Sequence, residues 1–291
     1  MKDQHNANDV PAVTLPTQAG KVLHKTEAKS TLLNKDEHKE YREIVGRVMH
    51  MTAWTRPDVA NAVRNTSRYG QQPCKQHMKA ARQIVDYLWQ TPERGWYLKP
   101  DRRWKGFDKL FQFRIKGKSD SNYATCTDTR KSVTGYVVHF EGAPIAIKSV
   151  MQKIIALSAT EAELIALVQC IQEMFYAKKV IESMGLIVEV PMIVQCDNKG
   201  VVDLVNGHSI GGNTKHIDVR ILHVRDHKDK GLIKVEWIPT ATNEADVSTK
   251  NTMQADYNKH IKCYVGRDKY NRHPLSREAN GVKKRVIPKQ D

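Results

Sequence analysis

Between residues 111 and 250 the hydrophobic period of the chain switches repeatedly between that of a strand and that of a helix, and few architectures accept such an order. Residues 111–124 read as a strand ending in polar residues. Residues 133–140 and 144–149 flank Glu141-Gly142-Ala143 as a hairpin. Ser158-Ala159-Thr160-Glu161 is an N-cap with a capping box. The helix behind it runs to about Ser183 and stops before Gly185. Residues 190–196 form a buried apolar strand, and a short helix follows Asn198. A helix covers 215–230, with Ile217, Ile221, Leu222 and Val224 apolar. Residues 232–238 are a last strand, and 243–250 open a final helix. This succession predicts an α/β fold, a mixed sheet of about five strands with helices packed on its faces.

The preceding residues differ in character. Residues 1–40 are polar with little periodicity and predict a weakly ordered lead-in. Order is expected from Tyr41. Thr55-Arg56-Pro57-Asp58 reads as a helix start, with Thr55 as N-cap and Asp58 completing a capping box. A second helix is expected over 76–89, with Met78, Ala81, Val85 and Leu88 inward. Its outer face carries Lys75, Lys79 and Arg82, a stripe suited to phosphates or simply to solvent. Residues 90–110 read as a linker, closing a small, mainly helical unit over 41–110 ahead of the α/β domain over 111–250. A basic tail spans 251–291.

The net charge of +15 is unevenly placed. Residues 1–117 carry a balance of +10, residues 118–250 one of −1, and residues 251–291 one of +6. Basic flanks around a near-neutral middle favour a polyanion, with nucleic acid the usual one. No apolar run reaches the roughly 18 residues of a membrane span, and the N-terminus lacks the apolar stretch of a signal peptide. Five cysteines without a CxxC pattern argue for reduced thiols. An intracellular protein, in cytoplasm and/or nucleus, is the expectation. Lys283-Lys284-Arg285 offers a nuclear-signal-like cluster or an ordinary basic tail.

Four acids fall where sheet-edge sites gather: Asp120 near the end of the first strand, Glu163 in the first turns of the long helix, Asp197 after 190–196, and Asp246 after the last strand. Each has a bland reading as a cap, dipole partner or turn former. Together, four carboxylates repel unless cations neutralise them, and such hard oxygen ligands suit two Mg²⁺ ions, or Mn²⁺. His223 and His227 share a helical face as some zinc ligands do, without a third ligand at a plausible spacing.

From Tyr41 onward the chain resembles the C-terminal part of a copia-type retrotransposon polyprotein. The resemblance is carried by residues 41–63 and 77–95, SDSNYA (119–124), TRKSVTGYVV (129–138), GAPIAIKS (142–149), ALSATEAELIAL (156–167), CDNKGVV (196–202), NTKHIDVR (213–220) and ADVSTK (245–250). It implies the end of a reverse transcriptase, its thumb and connecting segments, followed by an RNase H domain. That domain would be a metal-dependent endoribonuclease cutting the RNA strand of RNA–DNA hybrids. The family's metal-holding catalytic acids fall on Asp120, Glu163, Asp197 and Asp246. Glu161 is the rival for the glutamate, and its capping box predicts a local, exposed role instead. Arg130 and Lys131 join Lys75, Lys79 and Arg82 as nucleic-acid contacts. Departures are Asn122 and Tyr123, where the family usually carries Asp and Trp, and Val150-Met151, where it usually carries a basic pair. The polymerase YxDD motif is absent, so no independent DNA synthesis is expected. Partners would be the hybrid and the rest of the polyprotein, with no membrane. The alternative is an inactive element remnant that only binds nucleic acid.

Overall fold

The computed structural model describes residues 12–25, 31–106, 110–207 and 215–265, with 215–218 described by backbone alone. His216, the tail beyond residue 265 and Lys283-Lys284-Arg285 lie outside the described residues or side chains. Helix α1 (Lys35–Trp54) starts at a full capping box: Asn34 accepts from the Asp36 and Glu37 amides, and Glu37 accepts from the Asn34 amide. Order therefore begins ahead of Tyr41, which this helix buries with Ile44, Val45 and Val48. Part of the expected weak lead-in is also packed: Val13 and Leu15 lie against the core and Leu23 is buried.

Thr55 does not start a helix. It closes α1, its amide donating to Met51 O at 2.8 Å. A 3₁₀ turn over Pro57–Val59 then leads into α2 (Ala60–Ser67). Asp58 fails to cap because it has stronger partners. Arg56 grips it through Nε at 2.9 Å and Nη2 at 2.8 Å, and the Tyr87 hydroxyl donates to it at 2.9 Å. This buried, bidentate pair out-competes a cap bond. Helix α3 (Lys75–Gln90) buries Met78, Ala81 and Leu88 as its period implies, and adds His77, Ile84 and Tyr87. Val85 is half-buried.

The α/β part comprises β1 (Gln112–Phe113), β2 (Ile115–Asn122), β3 (Val133–Phe140), β4 (Ala143–Met151), α4 (Ala159–Ser183), β5 (Ile187–Val188), β6 (Met192–Cys196), α5 (Lys199–Asn206), α6 (Lys215–Asp229) and β7 (Ile233–Trp237). Its main sheet has the order β4-β3-β2-β6-β7, and β1 pairs with β5 separately. The first three strands are antiparallel neighbours, while β6 and β7 join in parallel. This is the mixed five-stranded sheet with flanking helices that the sequence predicts. The expected final helix over 243–250 is instead a 3₁₀ turn, Glu244–Ser248, followed by α7 (Gln254–His260) and α8 (Lys262–Val265). Asn243 accepts from the Ala245 amide, and the chain stays tightly wound so that its apolar residues meet the sheet.

Both sheet faces are covered, which is why β3 is buried almost along its whole length. On one face α4 sets Leu164, Leu167, Ile171 and Met174 into the main core. On the other, Val137 joins Val59, Val63 and Tyr87 of the helical part with Val247, Tyr257 and Tyr264 of the C-terminal part in one cluster. The connection at 91–106 is tied to both: the Tyr97 amide donates to Tyr264 O at 2.9 Å, and the Asp101 amide to Glu141 O at 2.6 Å.

Two glycines set the distance at which these layers close. A Cβ at Gly117 would lie 2.5 Å from Met174 Sδ in α4. One at Gly135 would lie 2.5 Å from Thr249 Cγ2 and 3.0 Å from Ala245 O. Gly135 is also the register partner of Asp120. Gly135→Ala should therefore lift the 244–249 turn off the sheet and destabilise the fold by about 1–3 kcal/mol, as overpacking does. Urea unfolding of the two proteins measures it, and equal midpoints would show that the turn yields without cost.

Candidate metal centre

The sheet presents one carboxylate and three other segments bring theirs to it. Asp120 stands on the central strand β2 and is 1% exposed. Glu163 projects from the second turn of α4 and is also buried. Ser158 caps that helix, accepting from the Glu161 amide at 3.1 Å, so the helix start is fixed. Asp197 directly follows β6. Oxygens of these three acids lie within 4.8 Å of one another. Asp246, in the 3₁₀ turn, is reached through a cation: Lys250 Nζ pairs with Asp246 Oδ1 and sits 3.4 Å from Asp120 Oδ1. The structure thus gathers all four sequence-derived acids, three directly and the fourth across an ammonium group.

Three of the four acids are held by neutral donors, and Asp246 by the Lys250 ammonium. The Thr249 hydroxyl donates to Asp120 Oδ2. The Ser121 amide donates to Glu163 Oε1 at 3.1 Å. Asn243 Nδ2 donates to Asp197 Oδ1 at 3.3 Å and to Ser119 O at 2.8 Å. Glu163 Oε2 is buried with no hydrogen-bond partner. Burial drives the pKa of Asp120 well above the ordinary carboxylate range, with Lys250 opposing and Asp246 and Asp197 adding to it. Burial does the same to Glu163, reinforced by Asp120 and Asp197. Burial opposes the charge on Lys250, but Asp120 and Asp246 outweigh it and hold the ammonium charged. An all-carboxylate donor set with an orphaned buried oxygen fits a hard divalent cation.

Glu161 takes the local role but not the exposed position expected of it. Its Oε2 accepts from the Leu157 amide at 2.7 Å, and the residue is buried because the loop before α4 folds over it. Lys75, Lys79 and Arg82 are exposed on α3, and Arg82 pairs with Glu40 at 2.9 Å rather than with the acids. Arg130 is exposed and Lys131 half-buried in the loop after β2, where Cys126 bonds both backbones. His223 and His227 meet edge to face at 4.6 Å between ring centroids, with His227 against Phe175. Among the described residues no third donor joins them.

Two features escaped sequence reasoning. One is Lys250, whose signal was its place four residues after Asp246. The other is a cavity of about 230 Å³ beside the acids, lined by Lys21, Arg64, Arg68, Asn122, Thr125 and Lys250 and by no acidic residue. Arg64 Nη1 is buried without a partner, and burial, reinforced by Arg68, pulls the Arg64 pKa down to about 10. Tertiary folding brings these cations from the lead-in, α2 and the C-terminal turn.

The chain is 34% identical over 250 residues to the retrovirus-related Pol polyprotein from transposon TNT 1-94 of Nicotiana tabacum, covering 85% of this chain and 18% of that protein. It is 30% identical over 211 residues to the corresponding polyprotein from transposon RE1 of Arabidopsis thaliana, covering 72% and 14%. It therefore spans less than a fifth of these relatives' length. Among solved structures it is similar to LC11-RNase H1, isolated from compost by a metagenomic approach, at 18% identity and a TM-score of 0.37, covering 51% of this chain and 98% of that one. No family model matches the chain.

The raised carboxylates have a consequence for stability. A free carboxylate ionises near pH 4. Above that pH and below the raised folded values, the folded state holds more protons than the unfolded one, so stability falls as pH rises. A chelated sample should lose more melting temperature between pH 5 and pH 8 than Glu163→Gln does. Added Mg²⁺ should restore the parent protein at pH 8 selectively. Parallel calorimetric scans test this, and identical pH profiles would remove the buried-acid account.

Proposed function

From the premise that this chain belongs to the retrovirus-related Pol polyproteins of transposons, we propose that it is their RNase H portion, cutting the RNA strand of RNA–DNA hybrids by metal-dependent phosphodiester hydrolysis. The observation that carries the reading is the convergence of Asp120, Glu163 and Asp197 within 4.8 Å, one carboxylate oxygen left without a partner. These three would hold one Mg²⁺, and Asp120 with Asp246, both paired with Lys250, would hold a second. When bound, the cations supply Lewis-acid stabilisation of the charge that grows on the scissile phosphate.

The chain's own groups do the rest. Thr249, Ser121 and Asn243 fix the carboxylates before any ligand arrives, so little reorganisation accompanies binding. The acid-free cavity lined by Arg64, Arg68 and Lys21 takes a neighbouring backbone phosphate and sets the register of the strand. Preference for RNA comes from 2′-hydroxyl contacts in the wide minor groove, and preference for the hybrid from its shape.

With Mg²⁺, end-labelled RNA should be cut in a hybrid and left intact as a single strand. Asp197→Asn should abolish cutting with little change in melting temperature, since the swap is nearly isosteric and relieves repulsion. Full activity of that variant would sink the site assignment. Hybrid binding without cutting by the parent chain would instead identify an element remnant. Glu163→Gln should also remove cutting, whereas Glu161→Gln should keep it and cost about 0.5–1 kcal/mol of stability. The reverse pattern would exchange the two residues' roles.

Hybrid affinity should fall steeply with salt, by roughly 0.7–0.9 log units per log unit for each phosphate contact. The double variant Arg64→Gln/Arg68→Gln should flatten that slope by about one to two contacts' worth. Fluorescence anisotropy at several salt concentrations measures it, and an unchanged slope would show that these arginines do not meet phosphate.

A further inference from the structure

A second ligand-bearing cluster lies on the same 3₁₀ turn, away from the four acids. His139 comes from β3, Glu244 opens the turn, and Cys263 comes from α8. One nitrogen, one oxygen and one sulfur donor from segments far apart in sequence lie within 4.8 Å of one another. They share the wall of a cavity of about 370 Å³. His139 Nε2 and Glu244 Oε2 stand 3.6 Å apart, and Glu244 Oε2 is buried without a hydrogen-bond partner. Its twin, Oε1, is already held by Lys118 Nζ at 3.0 Å.

We propose that His139, Glu244 and Cys263 form a structural metal site for a borderline divalent ion of the Zn²⁺ class, with a fourth position open to the cavity. Several arguments converge. The mixed N/O/S donor set suits Zn²⁺ and disfavours Mg²⁺, the opposite of the carboxylate centre. A tetrahedron with bonds of 2.0–2.3 Å has edges of about 3.3–3.8 Å, so a small inward movement of the three donors closes it. A neutral imidazole, a carboxylate and a thiolate balance a dication. Lys118, on the wall of the same cavity, holds the other oxygen of the carboxylate and orients it, as outer-sphere partners of metal ligands do. Binding releases the Cys263 proton to solvent and involves no redox change.

The consequence is mechanical. The ion would pin Glu244 and α8 to β3, and Asp246 lies only two residues beyond Glu244. The orphaned carboxylate oxygen is then a metal ligand rather than an unexplained cost.

The test uses the full chain, stripped by chelation and titrated with Co²⁺. One equivalent should produce a thiolate-to-cobalt charge-transfer band, bleached by Zn²⁺ and untouched by excess Mg²⁺. Cys263→Ser should lose the band, and His139→Gln should weaken binding by at least about tenfold. Asp120→Asn should retain both band and affinity, which separates this site from the carboxylates. In the unmutated chain, Zn²⁺ should slow iodoacetamide labelling of Cys263 and of no other cysteine, a readout that requires no variant to fold. Absence of the band, its survival in Cys263→Ser, or Cys263 labelling indifferent to Zn²⁺ would each overturn the proposal.

Discussion

Everything near the sheet edge is arranged around the burial of one charged group, Asp120. A carboxylate in a central strand costs several kcal/mol unless it is neutralised or well hydrogen-bonded. Here the compensation comes from Thr249 and Lys250, both on the turn after β7. That turn reaches Asp120 only because the strand beside it carries Gly135, which leaves room for Thr249 and Ala245. The carboxylate, the missing side chain and the lysine are thus one device. Glu163 and Asp197 crowd into it from the other elements and complete a set of oxygen donors within 4.8 Å of one another, suited to a cation.

The second organising fact is that the helical part and the sheet share an apolar cluster, reinforced by hydrogen bonds across it. Val59, Val63 and Tyr87 meet Val137, Val247 and Tyr264 in one cluster. The Arg56–Asp58 pair reinforces the same place, since Tyr87 and Tyr257 bond each other at 3.0 Å and both bond Asp58. The helices are therefore part of what holds the 244–265 segment, and Asp246 with it, against the sheet. The cavity beside the acids is likewise joint property, with Arg64 and Arg68 from α2 and Asn122 and Lys250 from the α/β part.

Much of this was legible in the chain because local rules and tertiary demands agree. The switch between the two hydrophobic periods located the strands of the main sheet and the helix between Ser158 and Gly185. Acids at strand ends and helix starts marked the site. Legibility failed where a long-range partner outbid a local preference. Asp58 was drawn from its cap by Arg56, and residues 243–250 were wound into a 3₁₀ turn by contact with the sheet. Val13, Leu15 and Leu23 are too sparse for a periodic signal, yet each finds an apolar surface. Glu161 shows the intermediate case: its carboxylate turns back along the chain as the capping pattern implies, but onto the Leu157 amide rather than the N-cap's, and its burial was not readable. Lys250 and Arg64 could not be read as site residues, because their meaning depends on which distant groups surround them.

The shared apolar cluster also bears on what a break in the backbone between the two parts would do. The connection at 91–106 looks like a place to divide the chain, being irregular and largely exposed. Scission there would separate two pieces in covalent terms only. Val137 and Val247 would stay covered by Val59 and Val63, and Tyr87 would keep its hydroxyl contact with Tyr257. The product would be a nicked assembly that still carries its carboxylates and its arginine-lined cavity together. For this chain, a cut between residues 91 and 106 and the parting of its two pieces would be different events.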